Sequence, residues 1–220
     1  ETFIDDASKA LDYLKTREDV RAKDLILVGH SQGGPMVLAL GKRRQDVQSV
    51  VVLAGAAFSL RETMLDQYEQ LITWLQADLP PGPDKDSKIA QVQKTHDTYD
   101  KALAEIEKGT YPSSTFEGSP VGFWKSWIDS HAAIEGDVQT LSQPLAVLSG
   151  DEDYNIPPKH TKQLETWRGP KSGDLFVVYE GLTHAMIKFH KAANKVDDQV
   201  HGPLLQELTS WLHGAGPSGS

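Results

Sequence analysis

The sequence predicts an α/β fold in which a parallel sheet is flanked by helices. Four short aliphatic runs, each bounded by charges or turn residues, are typical of buried parallel strands. Stretches with apolar residues at helical spacing alternate with these runs near both ends of the chain. In the middle the alternation stops for about 80 residues, which predicts a helical insertion between two strands of the sheet.

The beginning of the chain predicts a strand–helix–strand unit. Apolar residues recur at helical spacing over residues 3–16, which predicts an amphipathic helix. Residues 24–28 are expected to form a strand, residues 32–43 the helix after it, and residues 49–54 the next strand. At this spacing the connection is a right-handed βαβ unit.

The middle of the chain predicts three helices, over residues 61–79, 89–108 and 121–131. The run Pro80-Pro81-Gly82-Pro83 is expected to separate the first two, because proline cannot continue a helix. Strand–helix alternation resumes at Leu145.

These elements divide the chain into four segments. Residues 1–58 form the first segment of the core, residues 59–140 the insertion, residues 141–213 the second segment of the core, and residues 214–220 a flexible tail. The tail matches G-x-G-x-x-G by its letters, but it follows no strand and opens no helix, so it predicts no dinucleotide site.

The most informative motif is Gly29-His30-Ser31-Gln32-Gly33-Gly34, directly after an apolar run. A G-x-S-x-G motif between a strand and a helix is typical of a nucleophile elbow, a tight turn that exposes a strained serine. The Gln32 amide and the helix N-terminus would then face any oxyanion formed at Ser31. His30 is expected to pack under the turn and is counted among the candidate substrate-binding residues. The alternative is a glycine-rich turn with an ordinary serine.

A serine nucleophile needs a base and an acid that orients the base. Polar clusters at 151–158 and 180–184 each follow a predicted strand, at the edge where open parallel sheets place their sites. The second cluster contains His184, the candidate base, and His190 six residues later is its rival. The first cluster offers two acids, Asp151 and Asp153.

Residues 29–34, 150–154 and 181–184 resemble, in order and spacing, the three catalytic segments of α/β-hydrolase serine esterases. The resemblance extends from residue 1 to about residue 212. It implies an α/β-hydrolase fold and a triad of Ser31, Asp153 and His184, because the acid of that family usually lies three residues after the strand-ending glycine. Asp151 is the alternative acid, and otherwise it would cap the turn.

The function implied by this resemblance is hydrolysis of a small carboxylic ester through an acyl-enzyme, without a cofactor. Three alternatives stay open: a peptidase of the prolyl-oligopeptidase type, acyl transfer to another alcohol, and a binding protein without catalytic activity. The family carries a helical cap where this chain has its insertion. Within that insertion Phe123, Trp124 and Trp127 are candidates for lining a substrate pocket, although each ring could instead bury the cap against the sheet.

Composition narrows the classes of partner. The 220 residues carry a net charge of −9, so no basic surface is expected for nucleic acid. The absence of cysteine excludes a thiol nucleophile, and no histidine pair has the spacing of a metal site. No apolar run approaches the roughly 18 residues that predict a transmembrane helix. The compartment is left open.

One expectation concerns the strand before Ser31. In the α/β-hydrolase family several strands, and a second oxyanion donor, come from sequence before the helix that opens this chain. The strand at residues 25–28 is therefore expected to have an open edge, which proteins rarely leave exposed. We expect a second chain or a further segment to supply the strands that pair with it.

Overall fold

The computed structural model describes residues 2–190 and 195–214. The predicted tail lies outside the described residues except for Gly214. Two compact units make up the chain: an α/β unit, formed by the residues up to Ala57 and from Ala133 onward, and a helical unit, Phe58–Ala132. The elements in chain order are α1 (Thr2–Lys15), β1 (Ile26–His30), α2 (Gly33–Arg43), β2 (Ser49–Leu53), α3 (Leu60–Asp78), α4 (Pro83–Glu107), β3 (Thr115–Phe116), β4 (Ser119–Pro120), α5 (Val121–Ala132), α6 (Ile134–Thr140), β5 (Leu145–Gly150), α7 (Lys159–Arg168), β6 (Leu175–Tyr179), β7 (Ile187–His190), β8 (Lys195–Val200) and α8 (Gly202–Gly214).

The α/β unit contains a four-stranded parallel sheet in the order β1-β2-β5-β6. The two central strands carry near-continuous aliphatic runs, and β5 is buried along its whole length, as expected for a parallel sheet covered on both faces. The pairing register places His30 beside Leu53, Leu53 beside Leu148, and Gly150 beside Tyr179. The carboxyl ends of the strands therefore meet at one edge of the sheet.

Two apolar clusters cover the sheet. The larger one joins side chains of α1, α2, α6 and α7 to one face of β1, β2 and β5, and it includes Leu38, Val50 and Leu164. The smaller one includes Leu148 of β5 and Leu204 of α8. Because successive side chains of a strand point to opposite faces, both faces of the central strands are buried.

The helical unit contains α3, α4 and α5. Ser59 and Glu62 form a capping box at the start of α3, and Pro83 occupies the first turn of α4, where its missing N–H costs nothing. A compact cluster of apolar and aromatic side chains fills this unit. Its buried members are Leu60, Ala102, Leu103, Ile106, Phe116, Trp124 and Ile128.

His131 is buried in the helical unit, at 5% exposure. Its Nδ1–H donates to the Phe58 carbonyl at 2.9 Å, and its Nε2 accepts the Trp127 indole N–H at 3.1 Å. This pair of contacts requires the neutral ring, and burial lowers the pKa of His131 accordingly.

Several elements differ from their expected positions. Helix α4 begins at Pro83, six residues before the predicted start at residue 89. Proline is favoured at the first position of a helix, where its missing N–H has no partner to lose. Helix α6, inside the expected insertion 59–140, belongs to the α/β unit. The sequence pattern does not predict the antiparallel pair of β7, which contains His190, and β8. None of the helices in the described ranges is both long and apolar enough to span a membrane.

Candidate active site

Ser31 follows directly after β1 and has a φ of 55°. A positive φ is uncommon for a residue with a side chain and is a form of backbone strain found at functional sites. The Ser31 amide donates to the Leu53 carbonyl at 2.9 Å, and the Ser31 carbonyl accepts from the Gly34 amide at 2.9 Å. These two bonds hold the serine in a sharp turn between β1 and α2. The motif thus has the strand–turn–helix context of a nucleophile elbow.

The glycines of the motif allow the turn to close. A Cβ on Gly29 would lie 2.2 Å from the Gly33 carbonyl oxygen, a distance that no side chain could occupy. A Cβ on Gly34 would lie 3.0 Å from the Cα of Gly55. By contrast, a Cβ on Gly33 would meet nothing within 4 Å. The close approach of β1 to α2 therefore depends on Gly29 in particular.

Gln32 occupies the N-cap position of α2, with helical backbone angles and no capping hydrogen bond from its side chain. Within the described residues, its backbone amide has no hydrogen-bond acceptor. An amide at this position adds to the partial positive charge at the start of the helix. An anionic oxygen formed next to Ser31 would be stabilised there.

Asp153 lies in the loop after β5 and is 2% exposed. One of its oxygens, Oδ1, accepts the backbone amides of Asn155 at 2.9 Å and Ile156 at 2.8 Å. The other oxygen, Oδ2, lies 2.9 Å from Nδ1 of His184. These three contacts offset the cost of burying the carboxylate.

The contact with Asp153 determines the tautomer of His184. A carboxylate can only accept, so Nδ1 of the neutral imidazole carries the proton and donates it. The lone pair is then on Nε2, the nitrogen that does not face the acid. This is the tautomer that a general base requires.

Asp151, the alternative acid, has a different partner. Its side chain accepts the backbone amide of Gly181, and its own amide donates to the Tyr179 carbonyl at 3.1 Å. Asp151 therefore links the ends of β5 and β6. His190, the rival base, pairs with Asp197 of β8 at 2.8 Å. Among the described residues no cluster of histidine, aspartate or glutamate could hold a metal ion.

His184 lies in the turn between β6 and β7. Thr183 and Phe189 donate backbone hydrogen bonds within this turn, to Ile187 at 3.0 Å and to Gly181 at 2.7 Å. The turn crosses the end of β5 so closely that a Cβ on Gly150 would lie 1.9 Å from the Leu182 carbonyl oxygen. From the sequence, Gly150 is recognisable only as the end of a strand. The required close approach explains why a glycine precedes the acid loop.

His30 is exposed, so the expectation that it packs under the turn is wrong. Its side chain instead reaches the loop that carries the candidate base. Nε2 of His30 lies 2.7 Å from the backbone carbonyl oxygen of His184, and the two ring centroids are 4.8 Å apart. The sequence contains no signal for this contact, because it joins residues 154 positions apart.

The three predicted pocket residues lie together on α5 in the helical unit. Trp124 is 6% exposed, donates its indole N–H to the Phe116 carbonyl at 2.9 Å, and stacks on Trp127 with ring centroids 5.6 Å apart. Phe123 packs edge-on against Trp124 and is 37% exposed. Trp124 thus belongs to the core of its unit, and a role in substrate binding stays a prediction for all three.

A strained serine after one parallel strand, with an acid and a histidine after two others, defines the fold class as an α/β hydrolase. The model of the serine aminopeptidase S33 family (Hydrolase_4) matches residues 1–189. The chain belongs to this family, and the fold class predicted from the sequence is confirmed.

Individual relatives agree with this assignment. A monoacylglycerol lipase of Mycolicibacterium smegmatis is 24% identical over 215 residues, which cover 94% of this chain and 70% of the lipase. The solved structure of the Paleococcus ferrophilus monoacylglycerol lipase has a TM-score of 0.56 at 16% identity, over 97% of this chain and 76% of that one. The α/β hydrolase GrgF from Penicillium sp. sh18 has a TM-score of 0.58 at 14% identity, over 97% and 71%. At these identities the structural likeness shows the fold.

Proposed function

We propose that this protein is a serine hydrolase that cleaves carboxylic esters, with Ser31 as nucleophile, His184 as base and Asp153 as the acid that orients it. The observation that carries the proposal is the 2.9 Å contact between Asp153 and His184, in a chain that also holds Ser31 in a strained elbow. The names of the relatives support the ester class, since two of them are monoacylglycerol lipases.

In the proposed reaction His184 Nε2 takes the Ser31 hydroxyl proton while Oγ attacks the ester carbonyl carbon. The resulting oxyanion accepts a hydrogen bond from the backbone amide of Gln32 and faces the N-terminus of α2. When this intermediate collapses, the carbon–oxygen bond to the alcohol breaks, and His184 returns its proton to the leaving alcohol. Water then attacks the acyl-enzyme by the same steps and releases the acid.

The substrate class we propose is an ester with a single acyl chain and a small alcohol. The family description favours a second candidate, a peptidase that removes amino-terminal residues. The two candidates differ in the bond cleaved. A panel of glycerol monoesters and simple esters of graded acyl length, together with aminoacyl amides, separates them. Turnover of the amides alone would favour the peptidase.

Covalent labelling tests the nucleophile directly. A fluorophosphonate reacts only with an activated serine, so we expect one modified peptide, the one that contains Ser31, and no labelling of Ser31→Ala. Turnover by Ser31→Ala should fall by about 10⁴-fold or more. His190→Ala is the matched control for the base, and it should be labelled like the wild type. A Ser31→Ala variant that kept a tenth of the activity would exclude this nucleophile.

We further propose that a strand from a second chain or another segment pairs with β1. Among the strands of the described residues, β1 pairs with β2 alone, and Val28 in its middle is 57% exposed. On the β2 side, the Leu25 carbonyl accepts from the Gln48 amide, and the Ser31 amide donates to the Leu53 carbonyl. Because successive residues of a strand alternate in direction, the backbone groups of Ile26, Val28 and His30 face the open edge.

Amide hydrogen exchange measured by NMR tests this partner strand. If β1 is paired on both sides in the active protein, the Val28 amide should exchange as slowly as that of Leu27, which faces β2. Fast exchange at Val28 beside slow exchange at Leu27, in a preparation with full activity, would exclude a partner strand.

A further inference from the structure

A hydrogen bond joins the residue before the candidate nucleophile to the backbone of the candidate base. Nε2 of His30 lies 2.7 Å from the carbonyl oxygen of His184. A carbonyl oxygen can only accept, so Nε2 of His30 carries the proton in this contact. The two rings also touch, with centroids 4.8 Å apart and planes tilted by 46°.

The bond from His30 connects two segments that are otherwise held separately. The turn around His184 is closed by its own backbone bonds, from Thr183 to Ile187 and from Phe189 to Gly181. Asp153 orients the ring of His184, but Asp153 belongs to the loop after β5. Over residues 2–190 and 195–214, no other hydrogen bond links residues 29–34 with residues 180–188.

We propose that His30 is a positioning residue, which sets the separation between Ser31 and His184 by tying the elbow to the backbone of the base. This inference rests on the proposed function. Proton transfer from Ser31 to His184 needs the two side chains within hydrogen-bonding reach, and an error of about 1 Å can cost up to 10²-fold in rate. His30 touches neither the substrate nor the reacting atoms in this role. It acts through the position of His184.

Two variants that differ by one methylene group test the bond. The amide nitrogen of His30→Gln reaches about as far along the side chain as Nε2, whereas that of His30→Asn stops short of the carbonyl. We expect His30→Gln to keep kcat within about threefold of the wild type. We expect His30→Asn to lower kcat by about tenfold or more with KM within about twofold, because His30 acts through the position of His184 in this role. A rise in KM at unchanged kcat would instead support the substrate-binding role predicted for His30 from the sequence and overturn the positioning role.

Two further variants serve as controls. His30→Phe keeps a ring against His184 without a donor, and it should lose as much kcat as His30→Asn if the hydrogen bond matters. It also provides a second variant without the bond to the His184 carbonyl, should one of the two fold poorly in thermal unfolding. His213→Asn removes another exposed histidine at the end of α8 and should leave kcat unchanged.

A spectroscopic measurement adds a readout that does not depend on turnover. The proton between His184 Nδ1 and Asp153 is expected to give a far-downfield NMR resonance, which should persist in all His30 variants that fold. Its persistence would place the defect in the position of His184 relative to Ser31. Loss of this resonance in His30→Asn and His30→Phe would instead indicate collapse of the acid–base pair and overturn the inference.

The outcomes separate this inference from the function on which it rests. If fluorophosphonate does not label Ser31 of the wild type, the proposed function fails, and the inference fails with it. If Ser31 is labelled but His30→Gln and His30→Asn have equal kcat, only the positioning role is overturned. Tenfold slower turnover and labelling in His30→Asn and His30→Phe, with recovery in His30→Gln, would support it.

Discussion

The α/β unit and the helical unit place their side chains by different means. In the α/β unit Ser31, Asp153 and His184 follow the ends of three parallel strands, and backbone groups fix the loops that carry them. In the helical unit the aromatic rings of Tyr99, Phe116 and Trp124 pack on one another, with centroids 5.0 to 6.2 Å apart.

This difference separates chemistry from stability. Backbone-fixed loops tolerate little change of geometry, so substitutions at the ends of the strands should alter activity first. A cluster of rings contributes mainly by burying apolar area, so substitutions in the helical unit should alter the free energy of unfolding.

The sharpest test compares the two acids of the loop after β5. Asp153→Asn removes the acceptor that fixes the tautomer of His184, and kcat should fall by about 10⁴-fold, as it does when a triad acid is replaced by its amide. Asp151→Asn changes only a bond to the Gly181 amide, and kcat should stay within about threefold. Steady-state kinetics with a simple ester measures both variants. Equal losses in both would show that the acid is misassigned.

The next test concerns the elbow itself. Gly29→Ala forces a Cβ to within 2.2 Å of the Gly33 carbonyl oxygen, so the turn must open. We expect loss of about 1–3 kcal/mol of stability from overpacking, together with a fall in kcat, because Ser31 moves with the turn. Urea unfolding and ester kinetics measure the two effects.

Gly33→Ala is the matched control, since its Cβ meets nothing within 4 Å and alanine suits a first helical residue. This variant should keep the wild-type stability within about 0.5 kcal/mol. If Gly29→Ala were as stable and active as Gly33→Ala, the close approach of β1 and α2 would not determine the geometry at Ser31.

The sheet could be predicted because its strands are encoded locally, whereas the candidate triad, and above all the choice of Asp153 over Asp151, depended on the resemblance of three short segments to α/β hydrolases. Aliphatic runs mark the strands, and the glycine-rich motif around Ser31 marks a tight turn in which Gly29 in particular cannot be replaced without a clash. The contact of His30 with His184 could not be predicted, since it depends on how two distant loops meet. The same holds for the burial of His131, at 5% exposure. Its burial comes from the Phe58 carbonyl and the Trp127 ring, which local periodicity does not reveal.

The smallest effect should be a pH dependence of stability in the helical unit, centred on His131. Burial lowers the pKa of this histidine below its ordinary value of 6.5. Below about pH 6.5 His131 is therefore protonated in the unfolded chain but still neutral in the folded chain. The free energy of unfolding decreases as the pH falls from about 6.5 to the lowered pKa of the folded state.

The main cause of this loss is the burial of His131, which disfavours the charged ring, and protonated Nε2 can in addition no longer accept the indole N–H of Trp127. The lost hydrogen bond alone should cost about 1 kcal/mol. Urea unfolding followed by tryptophan fluorescence at several pH values measures this loss.

In His131→Gln the titrating group is gone, so stability should be lower at neutral pH but should change less between about pH 7.5 and 5. His213→Gln, at the exposed end of α8, should keep the wild-type slope. If the free energy of unfolding of His131→Gln changed with pH as steeply as that of the wild type, other groups would cause the pH dependence, and His131 would not contribute to it.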